Sequence, residues 1–330
     1  MLKNRVKKLM LTTLISLIVL GGLVLAGVYA EPLEGELILL HAGSLKVPVD
    51  NLKAAFHELY PNIEVKSEAG GSNTLCRQVS ELGKNVDVLM SADYVVIDEL
   101  LMPEHASWNV AFAVNSLVIM YTDDSKYADE INEDNWYEIL LRDGVNFGHS
   151  EPDMDPCGYR SVLLFQLAEN YYKKEGLNQA IIDAIPQKNI RPKSVELIAL
   201  LETGALDYAF EYESVALQHE AMDERFKYVR LPDAINLSSL DYADDYAKAT
   251  IKLTGPSPDT PLIVNGEPIV YSLTMPLTGE NRENAIAFLR FVFNPEQGLK
   301  VLQESGQPVI EVRAVSGREN VPTELADLVK

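Results

Sequence analysis

The alternation of apolar strands and amphipathic helices near the start of the chain constrains its fold more than any other feature. Residues 36–41 (ELILLH), 63–68 and 86–90 are three predicted strands. The two segments between them carry apolar residues at helical spacing, and they end at Pro61 and Gly83. A βαβαβ order with short connections predicts a parallel sheet with its loops at the carboxyl ends of the strands.

The remaining sequence predicts a second α/β lobe. An apolar stretch at 110–121 would carry the chain into this lobe, and a predicted strand at 268–275 would return it. We therefore expect lobe I to comprise residues 31–112 and 266–330, and lobe II to comprise residues 113–265. Two lobes joined by two crossings form a hinge that can close on a ligand in the cleft. We also predict helices at 136–141, 155–174, 195–202, 284–293 and 296–305, strands at 146–149 and 208–212, and surface loops at 241–246 and 255–268.

Residues 1–30 predict an export signal. The segment contains no acidic residue and opens with four basic ones, Lys3, Arg5, Lys7 and Lys8. An apolar run from Leu9 to Ala26 follows, and the small residues around Ala30 suit signal peptidase. The alternative is an uncleaved membrane anchor, because the run is about 20 residues long. No cysteine follows the run, which argues against a lipoprotein. We expect an exported protein at the outer face of the cell membrane.

The net charge and the composition limit the classes of partner that the protein can bind. The net charge is −21, and removal of the four basic residues of the signal makes it −25. A hydrophobic content of 47% indicates a folded globule, and the acidic excess argues against binding to nucleic acid. Two cysteines are too few for a disulfide framework or a four-cysteine zinc site. We expect a monomer without a cofactor.

Small polar loops precede four of the predicted helices. Helix starts present unpaired N–H groups to an anion, glycine permits a close backbone approach, and serine adds a hydroxyl donor. Ordinary helix capping is the alternative at each position. Because two loops fall in each predicted lobe, they favour one anion site in the shared cleft. Neutral donors of this kind can bind an anion despite the negative net charge. The four loops are Gly43-Ser44, Gly70-Gly71-Ser72, Asp155-Pro156-Cys157-Gly158 and Lys193-Ser194.

Six segments carry a family resemblance: HAGS (41–44), EAGGS (68–72), VDVLMSADY (86–94), NWYEIL (135–140), DPCGYRS (155–161) and LETGALDYAFEYESVA (201–216). Together they resemble the archaeal tungstate/molybdate-binding proteins of ABC transporters, over about residues 35–315. DPCGYR and the spacing of the two serine loops are the specific features. The resemblance implies a type II periplasmic-binding-protein fold of two hinged α/β lobes. It also implies an oxyanion between the lobes, and a membrane permease with a cytoplasmic ATPase as partners.

The resemblance also implies site residues. In this family the carboxylate matched by Asp155 coordinates the metal of the oxyanion directly, and the hydroxyl matched by Tyr212 points at the oxyanion. The other matched positions are donors of the first and second loops or lie beside Asp155 at the helix start. The complete set implied for binding tungstate or molybdate is Gly43, Ser44, Ser72, Asp155, Pro156, Cys157, Ser194 and Tyr212.

Position 194 departs from the family pattern. The family usually has a second coordinating carboxylate, a glutamate, 18 residues before the tyrosine matched by Tyr212, and Ser194 occupies that position here. We take Ser194 as the site residue, donating by its hydroxyl or its N–H, and Glu196 as a weaker candidate for the missing carboxylate. With Asp155 alone, five-coordination or plain tetrahedral hydrogen bonding of the oxyanion becomes the hypothesis.

Other functions have weaker support in the same sequence. The acidic run His149–Asp155 (HSEPDMD) is a weak candidate for a divalent-metal site. Cys157 is a weak candidate for a thiol nucleophile, and a Cys76–Cys157 disulfide has no support from spacing. The sequence contains no GxSxG, HExxH or Walker motif. We therefore predict a solute-binding protein rather than an enzyme. The alternatives are a sulfate- or phosphate-binding protein and an extracytoplasmic hydrolase that uses the same cleft.

Overall fold

The computed structural model describes residues 33–257 and 260–330, and the predicted export signal lies outside them. The strands are β1 Gly35–Ala42, β2 Ile63–Gly70, β3 Val88–Ser91, β4 Asn109–Asn115, β5 Leu117–Thr122, β6 Phe147–Ser150, β7 Ile190–Arg191, β8 Tyr208–Tyr212, β9 Phe226–Arg230, β10 Thr250–Ser257, β11 Thr260–Asn265, β12 Ile269–Thr274 and β13 Val309–Ser316. The α-helices are α1 Lys46–Leu59, α2 Ser72–Ser80, α3 Tyr94–Leu101, α4 Trp136–Leu140, α5 Pro156–Tyr172, α6 Leu177–Ala184, α7 Glu196–Glu202, α8 Glu213–Met222, α9 Ala243–Tyr246, α10 Arg282–Phe293 and α11 Gly298–Glu304.

Six strands form the first sheet, in the order β13-β4-β12-β3-β1-β2. The predicted βαβαβ unit supplies its parallel part, in which β1 pairs with both β2 and β3. The antiparallel strand β12 returns from the far part of the sequence and pairs with β3 and β4. Apolar side chains of α1 and α10 cover the sheet, and the ring of Phe56 packs against Phe288 at 5.2 Å between centroids. We call this sheet and its helices the first lobe.

Five strands form the second sheet, in the order β7-β6-β8-β5-β9. Strands β6, β7 and β8 are parallel, whereas β5 runs antiparallel to both β8 and β9. The core on one face is aromatic, because Phe210 of β8 contacts Phe165 of α5 and Trp136 of α4. We call this sheet and its helices the second lobe. With two α/β lobes, the molecule has the predicted type II periplasmic-binding-protein fold.

The apolar stretch at 110–121 is where the chain changes lobe. It is two strands rather than one, since β4 ends at Asn115 in the first sheet and β5 begins at Leu117 in the second. The return crossing leads into β12, whose Ile269 is the register partner of Asn115. The predicted limits of the two lobes stay a prediction. Strand β4 ends at Asn115, three residues beyond residue 112, the predicted end of the first segment of lobe I.

Two predicted surface loops are partly regular structure. Within 241–246 the chain forms α9, and Tyr246 turns inward until it is fully buried. Within 255–268, strands β10 and β11 pair as an antiparallel hairpin. The loop prediction failed there because proline counts against a central strand, whereas both strands of a two-stranded ribbon are edges.

The β10–β11 hairpin bridges the two lobes. The carbonyl oxygen of Thr254 accepts a hydrogen bond of 2.6 Å from Arg77 of α2, in the first lobe. The N–H of the same residue donates to Asp153, which precedes α5 in the second lobe, at 2.6 Å. Across the described parts of the chain, no helix combines the length and the apolar character needed to span a bilayer.

Candidate functional site

The first lobe contributes two serines that follow the carboxyl ends of parallel strands. Ser44 lies in the turn after β1, and its hydroxyl is 2.8 Å from the hydroxyl of Tyr271 on β12. Ser72 opens α2 directly after β2, and its Oγ accepts a hydrogen bond of 3.0 Å from the N–H of Ala92. Both serines are buried, so their positions are fixed by the sheet that carries them.

The second lobe contributes Asp155 at the start of α5. Its Oδ1 caps the helix by accepting from the N–H of Cys157 at 3.4 Å, and Pro156 occupies the first helical position, where no N–H is needed. Its Oδ2 accepts a hydrogen bond of 2.7 Å from the N–H of Ser194. One carboxylate thus joins the third and fourth predicted loops.

The loops of the two lobes touch each other. A Cβ atom on Gly71 would lie 2.2 Å from the carbonyl oxygen of Met154, so only glycine permits this approach. The N–H of Thr74 donates to the same oxygen at 3.4 Å. On the other side of the site, a Cβ atom on Gly43 would lie 3.2 Å from the side chain of Val195. The structure therefore brings all four predicted loops to one place between the lobes.

Ordinary capping does not account for the three serines. Among the residues of the four loops, only Asp155 caps its helix with a side chain, since the N-cap positions at the other three loops make no such bond. Ser72 is the first residue inside its helix, and Ser194 lies one residue before the N-cap. The capping alternative was therefore wrong for Ser44, Ser72 and Ser194, whose hydroxyls have other roles.

Tyr212 ends β8 at the same place, with its ring centroid 5.8 Å from that of Tyr271. Its hydroxyl is buried and has no hydrogen-bond partner among the described residues. Burial raises the pKa of Tyr212 well above its usual value, so the hydroxyl keeps its proton and is a donor. A buried donor without a partner costs about 1–3 kcal/mol. This hydroxyl is therefore available to donate a hydrogen bond to a bound acceptor.

Glu211 is a buried carboxyl group that the sequence analysis missed. It is fully buried, its Oε2 accepts from the N–H of Tyr212 at 2.6 Å, and the thiol of Cys157 is 3.9 Å from that oxygen. Burial raises its pKa to about 8, against a smaller opposing effect of a hydrogen bond from the Ser194 hydroxyl. The signal was present in the sequence, since a glutamate inside the apolar strand YAFEY needs a reason to be buried.

The two carboxyl groups differ in ionisation. Burial raises the pKa of Asp155 to about 6, and the hydrogen bond from the N–H of Ser194 opposes the rise. Near pH 7, Asp155 is therefore mostly ionised, whereas Glu211 is mostly neutral. One carboxylate at this place can coordinate an electron-poor centre, and the other carboxyl group adds little negative charge beside an anion.

Glu196, the weaker candidate for the missing carboxylate, lies apart from this cluster. It is partly exposed, and its carboxylate is 4.0 Å from the ammonium group of Lys193. Ser194, by contrast, is buried and contacts Asp155 through its N–H. The geometry thus places Ser194, and not Glu196, beside Asp155, and the role of Ser194 in binding stays a prediction.

The alternative chemistries find little support in the described residues. Within them, no group of three or more His, Cys, Asp or Glu side chains is placed to hold a metal ion. Cys76 and Cys157 are buried free thiols, so they form no disulfide. Burial raises the pKa of Cys157 well above its usual value, which disfavours the thiolate that a nucleophile requires.

The fold and the site define a class of protein, the extracytoplasmic binding proteins that enclose a solute between two lobes. Comparison with known families agrees, because the family described as bacterial extracellular solute-binding protein matches residues 37–306. The chain belongs to this family.

Individual proteins of known sequence or structure are also similar to this chain. A solute-binding protein of Petrotoga mobilis is 50% identical over 301 residues, covering 91% of this chain and 92% of the relative. The molybdate/tungstate-binding protein WtpA of Pyrococcus abyssi is 38% identical over 326 residues, covering 89% of this chain and 90% of the relative. Among solved structures, the periplasmic molybdate-binding protein of Azotobacter vinelandii superposes with a TM-score of 0.59. That match has 17% identity and covers 82% of this chain and 98% of the other, so it bears on the fold alone.

Proposed function

We propose that this protein captures tungstate or molybdate between its two lobes and delivers it to an ABC transporter permease. The observation that carries the proposal is the buried hydroxyl of Tyr212, which has no hydrogen-bond partner among the described residues and lies within electrostatic reach of Cys157 and Asp155. Ser44 and Ser72 add hydroxyl groups there, Asp155 adds one carboxylate, and Ser194 positions Asp155 and Glu211 through its N–H and its hydroxyl. The relation to WtpA supports a group 6 oxyanion as the ligand.

The donor set suggests how the oxyanion is held. Hydroxyl and N–H donors hydrogen-bond its oxygen atoms, and the ionised Asp155 bonds to the metal centre, because a carboxylate beside an oxyanion is otherwise repelled. With Ser194 where the family usually has glutamate, we assign this bond to Asp155, because Glu211, with a pKa of about 8, is mostly neutral near pH 7. We expect fewer than six ligands around the metal. X-ray absorption of the tungstate complex measures the coordination number, and two carboxylate–metal bonds would contradict this expectation.

The family supports a proposal for the cellular role. We propose that the protein is exported, works at the outer face of the membrane as a monomer, and catalyses no reaction. Its partners are then the permease and, behind it, the cytoplasmic ATPase. The protonated, buried thiol of Cys157 weighs against the hydrolase alternative.

Sulfate or phosphate is the second candidate ligand, since hydroxyl and N–H donors recognise any tetrahedral oxyanion. Discrimination would rest on size, because donors fixed by two packed lobes cannot contract onto the smaller anion.

Calorimetric titration with tungstate, molybdate, sulfate and phosphate in parallel tests the proposal. Residues 31–330 suffice, because residues Glu34–Lys330 form one compact unit. Tight binding of tungstate and molybdate, with no heat from the other two, is the expected result. Heat from sulfate or phosphate alone would show that the protein binds these smaller anions and not tungstate or molybdate. No heat from any of the four would remove the oxyanion proposal.

A further inference from the structure

A buried ion pair beside the site joins the two lobes. Asp93 follows β3 in the first lobe, Arg160 lies in α5 of the second, and both side chains are almost completely buried. Nη2 of Arg160 donates to Oδ2 of Asp93 at 2.5 Å, and the hydroxyl of Tyr159 donates to the same oxygen. The other terminal nitrogen, Nη1, donates to the carbonyl oxygen of Glu267 at 3.1 Å.

The pair lies next to the residues that would hold the oxyanion. On the first-lobe side, Asp93 directly follows Ala92, whose N–H is bonded to Ser72. On the second-lobe side, Arg160 is five residues after Asp155, which is about 7.5 Å along the helix axis. The guanidinium group also acts electrostatically on the hydroxyl of Tyr212. The ion pair therefore spans the cleft at the level of the proposed site.

The free energy of a buried ion pair differs between the closed and the open state of a cleft. In a closed molecule both charges leave water, and only good geometry with further hydrogen bonds offsets that cost. Separation of the lobes would return both groups to water, where each is well solvated. A partly opened cleft that leaves one charge buried without its partner would be less stable than either the closed or the fully open state.

We propose that Asp93 and Arg160 are positioning residues of the oxyanion site, whose ion pair holds the start of α5 against the first lobe and thereby slows release of the ligand. This inference rests on the proposed function. The positioning role assigned to both residues acts through Asp155 and Ser72.

Single substitutions would be ambiguous, because Asp93→Asn leaves the charge of Arg160 buried without its carboxylate and close to the anion. The decisive variant is the double substitution Asp93→Asn with Arg160→Met, which removes both charges and keeps an acceptor for the helix cap that Asp93 makes to Val95. Replacement of both members of a buried pair is often tolerated by the fold. The matched control is Arg282→Gln with Glu324→Gln, which removes an exposed pair of 2.9 Å.

The dissociation rate constant of molybdate, measured by stopped-flow fluorescence, tests the proposal. We expect the buried-pair variant to release molybdate about tenfold faster, with the association rate constant changed by less than about threefold. The control should retain the wild-type rate. Arg160→Lys, which keeps the charge but loses the two-pronged contact, should give an intermediate rate, and it serves if the double variant does not fold. An unchanged dissociation rate in a folded variant would overturn the inference. Absence of molybdate binding by the wild-type protein would instead overturn the proposed function.

Discussion

At the scale of single residues, removal of the Tyr212 hydroxyl should affect the stability of the ligand-free protein and its affinity for tungstate in different ways. Tyr212→Phe removes a buried donor that has no protein partner, so the ligand-free protein should become more stable or stay unchanged. A hydrogen bond to a charged acceptor contributes about 1.5–3 kcal/mol, so the affinity for tungstate should fall about 10- to 150-fold. Calorimetry and thermal unfolding measure the two effects.

The matched control for this prediction is Tyr121→Phe, on the neighbouring strand. Tyr121 pairs with Tyr208, at the opposite end of β8 from Tyr212. The Tyr121→Phe substitution should leave tungstate binding unchanged. Equal affinities of the Tyr212→Phe variant and the wild type would contradict the placement of the ligand at this hydroxyl.

The carboxyl group of Glu211 makes stability depend on pH. Its folded pKa of about 8 lies above the ordinary value of 4.5, so the folded state binds more protons than the unfolded state between these values. The contribution of Glu211 to the free energy of unfolding of the ligand-free protein should therefore fall as pH rises toward 8, by at most about 1.4 kcal/mol per pH unit.

Denaturant titrations of the wild type and of Glu211→Gln at matched pH between 7 and 8 isolate this contribution as a difference, because Asp155, with a pKa of about 6, is largely ionised there and the buried His41, whose pKa is lowered to about 4, is common to both proteins. Glu211→Gln keeps the shape and should remove the contribution of Glu211 to the slope. A wild-type slope that persists in the Gln variant would assign the pH dependence to another group.

At the scale of elements, the contact between the loops before α2 and α5 should not tolerate a side chain. In Gly71→Ala the new Cβ would lie 2.2 Å from the backbone oxygen of Met154, so the loops must separate. We expect at least a tenfold loss of molybdate affinity by calorimetry, about 1.4 kcal/mol.

Gly144→Ala is the control for this loss. Gly144 has a φ of +80° and open space around it, so alanine there should lower stability without altering binding. Unchanged affinity in Gly71→Ala would mean that the closed contact is not needed to hold the ligand.

Much of this architecture is predictable from local sequence, and the failures share a cause. Periodicity and breakers located β1, β2, β3 and α5 to within a few residues, because each is a regular element with its own apolar pattern. The stretch 110–121 shows one continuous apolar pattern, and nothing local reveals that its halves join different sheets. The four loops were predicted, but Glu211 and the Asp93–Arg160 pair were not. Their roles arise from contacts between residues distant in sequence.

At the scale of the whole molecule, the negative charge should govern the rate of ligand entry but not its retention. A net charge of −25 after loss of the signal repels an anion at long range. The Debye length shrinks from about 30 Å at 0.01 M salt to about 8 Å at 0.15 M, so added salt screens that repulsion.

We therefore expect the association rate constant of molybdate to rise severalfold over this range in stopped-flow measurements. The dissociation rate constant serves as the internal control, since contacts inside a dry cleft are screened little. An association rate that falls with salt would reveal a locally positive cleft entrance that outweighs the net charge.

The adjacency of the two crossings has a consequence for how such molecules can diversify. Asn115 and Ile269, the last residue before the second lobe and the first strand residue after it, are neighbours in one ladder. The N–H groups of Leu117 and Ile269 donate to the successive carbonyl oxygens of Asn236 and Leu237, at 2.9 and 2.8 Å. The inserted part of the chain therefore begins and ends at a single seam. A recombination event at that seam could replace one half of the binding cleft as a module, provided that the new half also matches the contacts between the lobes that Arg77 and Asp93 make.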